Sequence, residues 1–297
     1  MSTATYLPEL CLLVAAAVWS LASGVYKKAS ARADIFQVNL FRCVVSVVLG
    51  AVTVAVVGSA HELTAASPHM LGYMASSGIL ARLVGDSLFF YSASRIGLAR
   101  AMPIAAIYPV WSVLIAAANG EPVSGRELLA MGLTLIGVVL VIRSGAGAAG
   151  RSARRRTGHA LQGYLLAVGC SLAWALGLLH AKWGSGHLDP FLVNTVRMAA
   201  GGVAIALVLR FRGRPLFPAV PVGRPALLGA ALLESWLGSA AYMYGVAHTS
   251  TAVGSTLSSL APVFTIPVAA WYLKERMSAQ LILGILLATA GVIGLMA

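Results

Sequence analysis

The chain has 297 residues, of which 59% are hydrophobic and only 10% charged, with a mean hydropathy of +0.86. Soluble domains carry about 25% charged residues, and so apolar a globule could not cover itself with polar groups; soluble domains are excluded, and lipid is the solvent. The formal charge of +12 sits almost entirely in short loops between apolar stretches, which points to orientation in a bilayer and away from nucleic acid.

A helix needs about 20 apolar residues to cross the hydrocarbon layer, and helices are required because a backbone in lipid must satisfy its own hydrogen bonds. Spans are expected near 7–26, 35–57, 70–94, 101–118, 127–142, 163–181, 190–209, 225–247, 251–272 and 280–296. The first follows MSTATYLPEL, which lacks a basic leading region and a small-residue cleavage site, so it reads as a retained span rather than a signal peptide. The second carries Asn39 and Arg42, and the third is interrupted by Arg82 and Asp86. The fourth contains Pro103, Tyr108, Pro109 and Trp111. After the fifth comes a basic stretch, 143–162, expected to be a flexible connector between two halves, 1–142 and 163–297. It holds the string Gly145-Ala-Gly147-Ala-Ala-Gly150, which fits a dinucleotide fingerprint and, with Arg151-Ser152, resembles a phosphate loop. Both motifs need a soluble strand before them and a packed helix after them; here a membrane span precedes and RSARRRTGH follows. No nucleotide or other cofactor is therefore expected. Cys11, Cys43 and Cys170 lie inside apolar runs without metal-ligand spacing.

An internal repeat supports the span count. At a shift of 155 residues, Leu10, Trp19, Leu21, Lys27, Ser30, Asp34, Phe36, Val38, Asn39 and Arg42 fall on identical residues, from Leu165 and Trp174 through Lys182 and Asp189 to Asn194 and Arg197. Shared apolar composition explains matched leucines, but not matched Trp, Lys, Asp, Asn and Arg. At a shift of 153, Gly85, Tyr91 and Pro109 meet Gly238, Tyr244 and Pro262; at 154, Glu121 and Ser124 meet Glu275 and Ser278. The unit is five helices used twice, and an odd number per unit inserts the second copy upside down. Loop charges agree. The side reached after the odd-numbered spans holds sixteen Lys and Arg, and the opposite side holds only Arg126 and Lys182. The expected fold is all-α: ten transmembrane helices in two inverted five-helix repeats, with both termini outside the cell by the positive-inside bias.

Ionisable residues at membrane depth are costly unless they face protein or a watery cavity. Arg42 and Arg197, with Asn39 and Asn194 one turn before them, either fix helix packing or act as gates and anion-contacting groups at opposite ends of one pathway. Arg82 and Asp86 are spaced to pair on one helix face. Glu234 has no basic residue within a turn of its own helix; it is either a buried neutral acid or a site for a coupling proton or a substrate amine. Trp19 and Trp174 lie mid-helix, and Tyr91, Tyr108, Trp111, Tyr242 and Tyr244 add aromatic surface with polar handles. Together they suggest a shared cavity for an amphipathic organic solute. Pro109 and Pro262, at matching positions, are the expected hinges.

VWSLASGVYKK and AWALGLLHAK at the first helix of each half carry a family resemblance. So do YPVWSVLIAAANGEPVS…IGVVLV and APVFTIPVAAWYLKERMS…AGVIGL. In these strings a Pro is followed by an acidic turn and a Gly-Val helix. The chain resembles the EamA family of the drug/metabolite transporter superfamily over essentially its whole length, except that Lys274-Glu275 stands where Gly-Glu is usual. The resemblance implies a basket of helices working by alternating access, exporting amino acids and other metabolites, with cytoplasmic termini; the loop charges argue for the opposite orientation. The expected function is secondary export of a small metabolite across the cytoplasmic membrane, driven by the solute gradient or by protons. The rival is an intramembrane enzyme acting on a lipid-linked substrate. Expected partners are a small-molecule solute and the bilayer; a monomer suffices for this scheme, and the sequence leaves open whether the carrier dimerises.

Overall fold

The computed structural model describes residues 6–118, 123–146, 153–217, 224–249, 257 and 260–296. Most of these are helical, joined by turns and irregular segments such as 273–278, with no strand among the described residues. Besides two short turns, Ser59–His61 and Glu62–Ala65, the elements are α1 (Leu7–Ser30), α2 (Ile35–Val57), α3 (Pro68–Gly78), α4 (Asp86–Ile96), α5 (Leu98–Ala105), α6 (Tyr108–Ala118), α7 (Gly125–Ala146), α8 (Ala153–Ser185), α9 (Pro190–Phe211), α10 (Arg224–Ala230), α11 (Ser239–His248), α12 (Ala261–Pro267) and α13 (Ala279–Met296). Three π-helical turns continue these helices: Ile79–Gly85 between α3 and α4, Ala231–Gly238 between α10 and α11, and Val268–Tyr272 after α12.

Local chemistry sets the helix starts. Asp34 caps α2 by accepting from Phe36 N at 2.8 Å, and Asp189 caps α9 by accepting from Phe191 N and Leu192 N at 3.0 Å. The two aspartates of the repeat are thus N-caps, each satisfying donors that the first turn leaves free. Ser124 and Glu127 close a reciprocal capping box on α7: Ser124 N donates to Glu127 Oε2 at 2.7 Å, and Glu127 N donates to Ser124 Oγ at 3.2 Å.

Among the described residues, seven helices are long and apolar enough to cross a membrane: Leu7–Ser30, Ile35–Val57, Leu98–Ile115, Gly125–Ser144, His159–Ser185, Pro190–Phe211 and Pro225–Gly245. Ala261–Tyr272 and Ala279–Leu295 are shorter apolar helices, and part of the expected ninth span, 251–256 with 258 and 259, lies outside the described residues. The expected third span is helical but carries Arg82 and Asp86, so it falls short on apolarity rather than on length. Large side chains such as Val48, Val56, Leu129, Leu165, Val203 and Trp271 are exposed, as lipid contact requires.

The connector expected over 143–162 is shorter than the sequence suggested. Helix α7 continues to Ala146 and α8 begins at Ala153. Ala, Arg, Leu and Gln are good helix formers, and charge alone does not end a helix. The remaining residues, 147–152, hold most of the nucleotide-like glycine string and lie outside the described residues.

Helix α7 packs along α13, α2 along α9, α8 along α3 and α4, and α1 along α11. Small residues permit the first of these pairings: a Cβ on Gly284 would lie 2.9 Å from Gly137 O and from Val141 N. In the junction after Val268–Tyr272, Lys274 has φ 55°, the only positive φ at a non-glycine among the described residues. It stands where the family resemblance calls for glycine, the residue that adopts this conformation without strain.

Candidate functional site

Arg42 is on the third turn of α2, and α1, α4 and the π turn Ala231–Gly238 pack against that helix. Its NH2 nitrogen donates to both Glu234 oxygens at 2.8 Å. Its NH1 donates to Asp86 Oδ2 at 3.1 Å and to Asn39 Oδ1 at 3.0 Å, and Nε reaches Ser235 Oγ at 3.3 Å. Arg82 joins from the third helical rod, with NH1 2.9 Å from Asp86 Oδ2 and 3.6 Å from Glu234 Oε1. Trp174 Nε1 donates to Asp86 Oδ1 at 3.1 Å, Tyr26 Oη to Glu234 Oε2 at 3.1 Å, and Ser235 Oγ to the same Glu234 oxygen. The Arg42 guanidinium lies 4.2 Å from the Tyr26 ring centre. Arg42, Asp86 and Glu234 are 4–5% exposed, so two cations and two anions neutralise one another away from water.

Glu234 is therefore not the isolated carboxyl that its own helix suggested. The residues that compensate it come from other helices, where spacing along α10 and α11 cannot show them.

This network forms one wall of a cavity containing about 830 Å³ of atom-free space, the part open to its mouth included. Trp19, Tyr26, Phe89, Trp174, Arg197 and Tyr242 are prominent in its lining, with Arg42, Arg82, Asp86, Tyr108 and Glu234. The Trp19 and Tyr242 rings sit 4.9 Å apart, and Phe89 and Trp174 sit 5.4 Å apart. Arg42 and Arg197 border this same cavity, which corrects their reading as groups at opposite ends of a pathway. Because α2 and α9 pack side by side, two arginines at different depths reach one space. The expected i,i+4 pairing of Arg82 with Asp86 is present, within the larger network.

Other expected residues lie elsewhere. Asn194 Nδ2 donates to Ser235 O at 3.0 Å and Ser46 Oγ at 3.3 Å, a helix-packing role behind the cavity wall. Asn39 is one step removed, held between Arg42 and Ser87 Oγ. Tyr91 packs edge-on to Phe36 at 6.3 Å, Trp111 donates to Ser171 Oγ at 2.7 Å, and Tyr244 stacks on His248 at 4.2 Å. Matched position in a repeat puts residues on equivalent helices but does not make them face the same space. Pro109 and Pro262 are in the first turns of α6 and α12, where the missing N–H breaks no helix bond. Among the described residues, the prolines inside helices are Pro103 and Pro267.

Sequence reasoning passed over Tyr26, Ser235 and Phe89. It also missed the π turns. Those at Ile79–Gly85 and Ala231–Gly238 lie at matching places in the repeat and carry Arg82 and Glu234; such turns re-aim side chains and concentrate at functional sites. Gly85 is required there, because a Cβ on it would lie 2.7 Å from Trp174 Nε1.

A second charged contact lies at the end of α1. Glu275 accepts from Leu98 N at 2.8 Å and Ala99 N at 3.0 Å, and pairs with Lys27. It ties the junction before α13 to the end of α1 and the start of α5.

The sequence profile of the EamA-like transporter family matches residues 7–143 and again 161–297. The chain belongs to the EamA-like transporter family. Curated relatives include an uncharacterized transporter of Clostridium kluyveri, 22% identical over 74% of this chain and 70% of that protein. Another, from Archaeoglobus fulgidus, is 26% identical over 70% of each chain. A solved crystal structure shares the fold with a TM-score of 0.67 at 17% identity, covering 97% of this chain and 95% of the other. This EamA protein is accordingly a multi-pass membrane transporter, surrounded by lipid and serving small solutes.

Proposed function

We propose that this EamA transporter is a secondary carrier that exports small organic metabolites, the class that includes amino acids, by alternating access through the cavity. The carrying observation is that the cavity's charge network is assembled from both halves: Arg42, Arg82 and Asp86 come from the first repeat and Glu234 from the second. A rocking motion of one half against the other would make and break these contacts, as a gated site between repeats needs.

Several observations support ten spans in two inverted repeats. The π turns recur at matching places, Asp34 and Asp189 cap equivalent helices, and the packing is reciprocal: α8 of the second half lies on α3 and α4, while α1 of the first lies on α11. The Glu275 contact with Lys27 and the α5 amides would close one side of the cavity. Its counterpart by the repeat is Glu121 with Lys182, and Glu121 lies outside the described residues.

Proton coupling fits at Glu234. Neutralising that carboxyl would leave Arg42 with Asp86 alone and loosen the bond between the halves. The loop charges favour the cytoplasmic membrane with both termini outside, which a reporter fused to either terminus would check. An intramembrane enzyme would need a free carboxylate or an activated nucleophile at depth, whereas Asp86 and Glu234 are tied to arginines.

The test of the carrier reading is counterflow of labelled metabolites in proteoliposomes. Exchange that depends on the protein and saturates with solute supports it. Binding of a solute without exchange in either direction would sink it.

A further inference from the structure

Charge does not balance in the cavity. Three arginines, Arg42, Arg82 and Arg197, border it with two carboxylates, Asp86 and Glu234, and these are all the arginines and acids that the sequence places at membrane depth. The oxygens of both carboxylates are engaged: Asp86 by Trp174, Arg42 and Arg82, and Glu234 by Arg42, Tyr26 and Ser235. Arg197 is left over. Its Nε donates to Ser77 Oγ at 2.9 Å and its NH1 to Met243 Sδ at 3.5 Å, and among the described residues no carboxylate lies within 4.0 Å of it. Since Arg197 is only 7% exposed, bulk water does not compensate the charge either. Burying a cation without a counter-ion is expensive, and a neutral oxygen and a thioether are weak compensation.

A second unmet donor belongs to a residue that lines the same cavity. The indole N–H of Trp19 is buried and has no acceptor, whereas Trp174, its counterpart in the repeat, donates to Asp86. The surrounding lining is apolar and aromatic: Phe89, Phe90, Met102, Leu178 and Tyr242.

We propose that the solute enters this cavity as an organic monocarboxylate, its carboxylate seated on the Arg197 guanidinium with the Trp19 N–H as a further donor. The body of the solute lies against the Trp19, Tyr242 and Phe89 rings. One net positive charge matches one negative charge. A solute ammonium would have to compete with a guanidinium at either acid, because each cavity carboxylate is already paired with arginine. Monocarboxylates are therefore bound ahead of the matching amide, amine and zwitterion. The proposal rests on the carrier reading for its meaning as a substrate site, but the binding it asserts can be tested separately.

The experiment uses the full chain purified in detergent and titrated with phenylacetate, phenylacetamide, phenethylamine and phenylalanine, followed by calorimetry. Phenylacetate should bind roughly 10-fold or more tightly than the amide, the order expected of one charge-assisted hydrogen-bonded contact. Arg197→Gln should abolish that difference and Arg197→Lys keep part of it. Trp19→Phe, which retains an aromatic ring and removes only the N–H, should weaken phenylacetate about 3-fold and leave the amide unchanged. If Arg197→Gln does not fold, the wild-type panel and Trp19→Phe decide the matter. Equal or tighter binding of the amide, preference for the amine, no carboxylate binding, or competition by inorganic phosphate as strong as by phenylacetate each overturns the proposal. Counterflow then separates the two readings. A carboxylate that binds but never exchanges refutes the carrier and leaves the site standing; exchange of amides or amines with carboxylates inert refutes the site alone.

Discussion

Arg42 holds Glu234 through both carboxylate oxygens at 2.8 Å, although 192 positions separate them. The pair joins the two sequence repeats at the wall of the cavity, and Asp86 and Arg82 extend it into a group of four charges.

Removing one member of a buried ion pair strands its partner, which costs about 3–5 kcal/mol, while removing both costs much less. Arg42→Gln and Glu234→Gln should each lower the melting temperature of the purified protein markedly. The double variant should lose clearly less than the two effects added. Arg42→Gln should be the more damaging single change, because it strands Glu234 and also weakens Asp86. Additive losses in a double-mutant cycle would show that the pair is not energetically coupled.

Much of this arrangement was legible in the sequence, because its signals are local or periodic. Hydropathy gave most of the helices, and the shift of 155 residues paired Asp34 with Asp189, which prove to be N-caps. The site was only half legible. Arg42 and Asp86 announced themselves as charges in apolar helices, but the partner of Glu234 is set by which helices touch, and that is not encoded by spacing along one helix. The same gap explains Tyr91 and Tyr244, matched in the repeat yet turned away from the cavity. The π turns left no periodic trace, since one extra residue in a turn rotates every later side chain without changing composition.

Glu275 offers a contact that can be read without transport. Its carboxylate accepts from the Leu98 and Ala99 amides, two donors at the start of α5 that have no intrahelical partner. Glu275→Ala should raise hydrogen exchange in the peptide covering residues 97–100 by roughly 10-fold, the order expected for losing charge-assisted hydrogen bonds. It should leave exchange in α7 and α13 unchanged. Lys27→Met should give a smaller rise, because it removes the counter-ion and keeps the acceptor.

The seam between α7 and α13 depends on glycine. A Cβ on Gly284 would meet Gly137 O, Val141 Cγ2 and Val141 N at 2.9 Å, and two of these are backbone atoms that cannot swing away. Gly284→Val should push the helices apart at a cost of about 1–3 kcal/mol, seen as a lower melting temperature. Gly132, where a Cβ meets nothing within 4 Å, is the control: Gly132→Ala should be neutral or slightly stabilising, by up to about 1 kcal/mol.

Lys274 tests the junction before α13 from the other direction. At φ 55° an L side chain is strained by about 1–2 kcal/mol, and the strain is held in place by Glu275 N donating to Ala269 O at 2.9 Å. Lys274→Gly should therefore be tolerated, the relief of strain offsetting glycine's greater chain entropy in the unfolded state. Lys274→Val should lower the melting temperature, because branching at Cβ makes the left-handed conformation still less accessible. The lysine charge is not the source of either effect, so Lys274→Gln should behave like the wild type. If valine and glutamine are equally well tolerated, the backbone at this junction is free to relax, and Glu275 is then not held against α5 by the turn that precedes it.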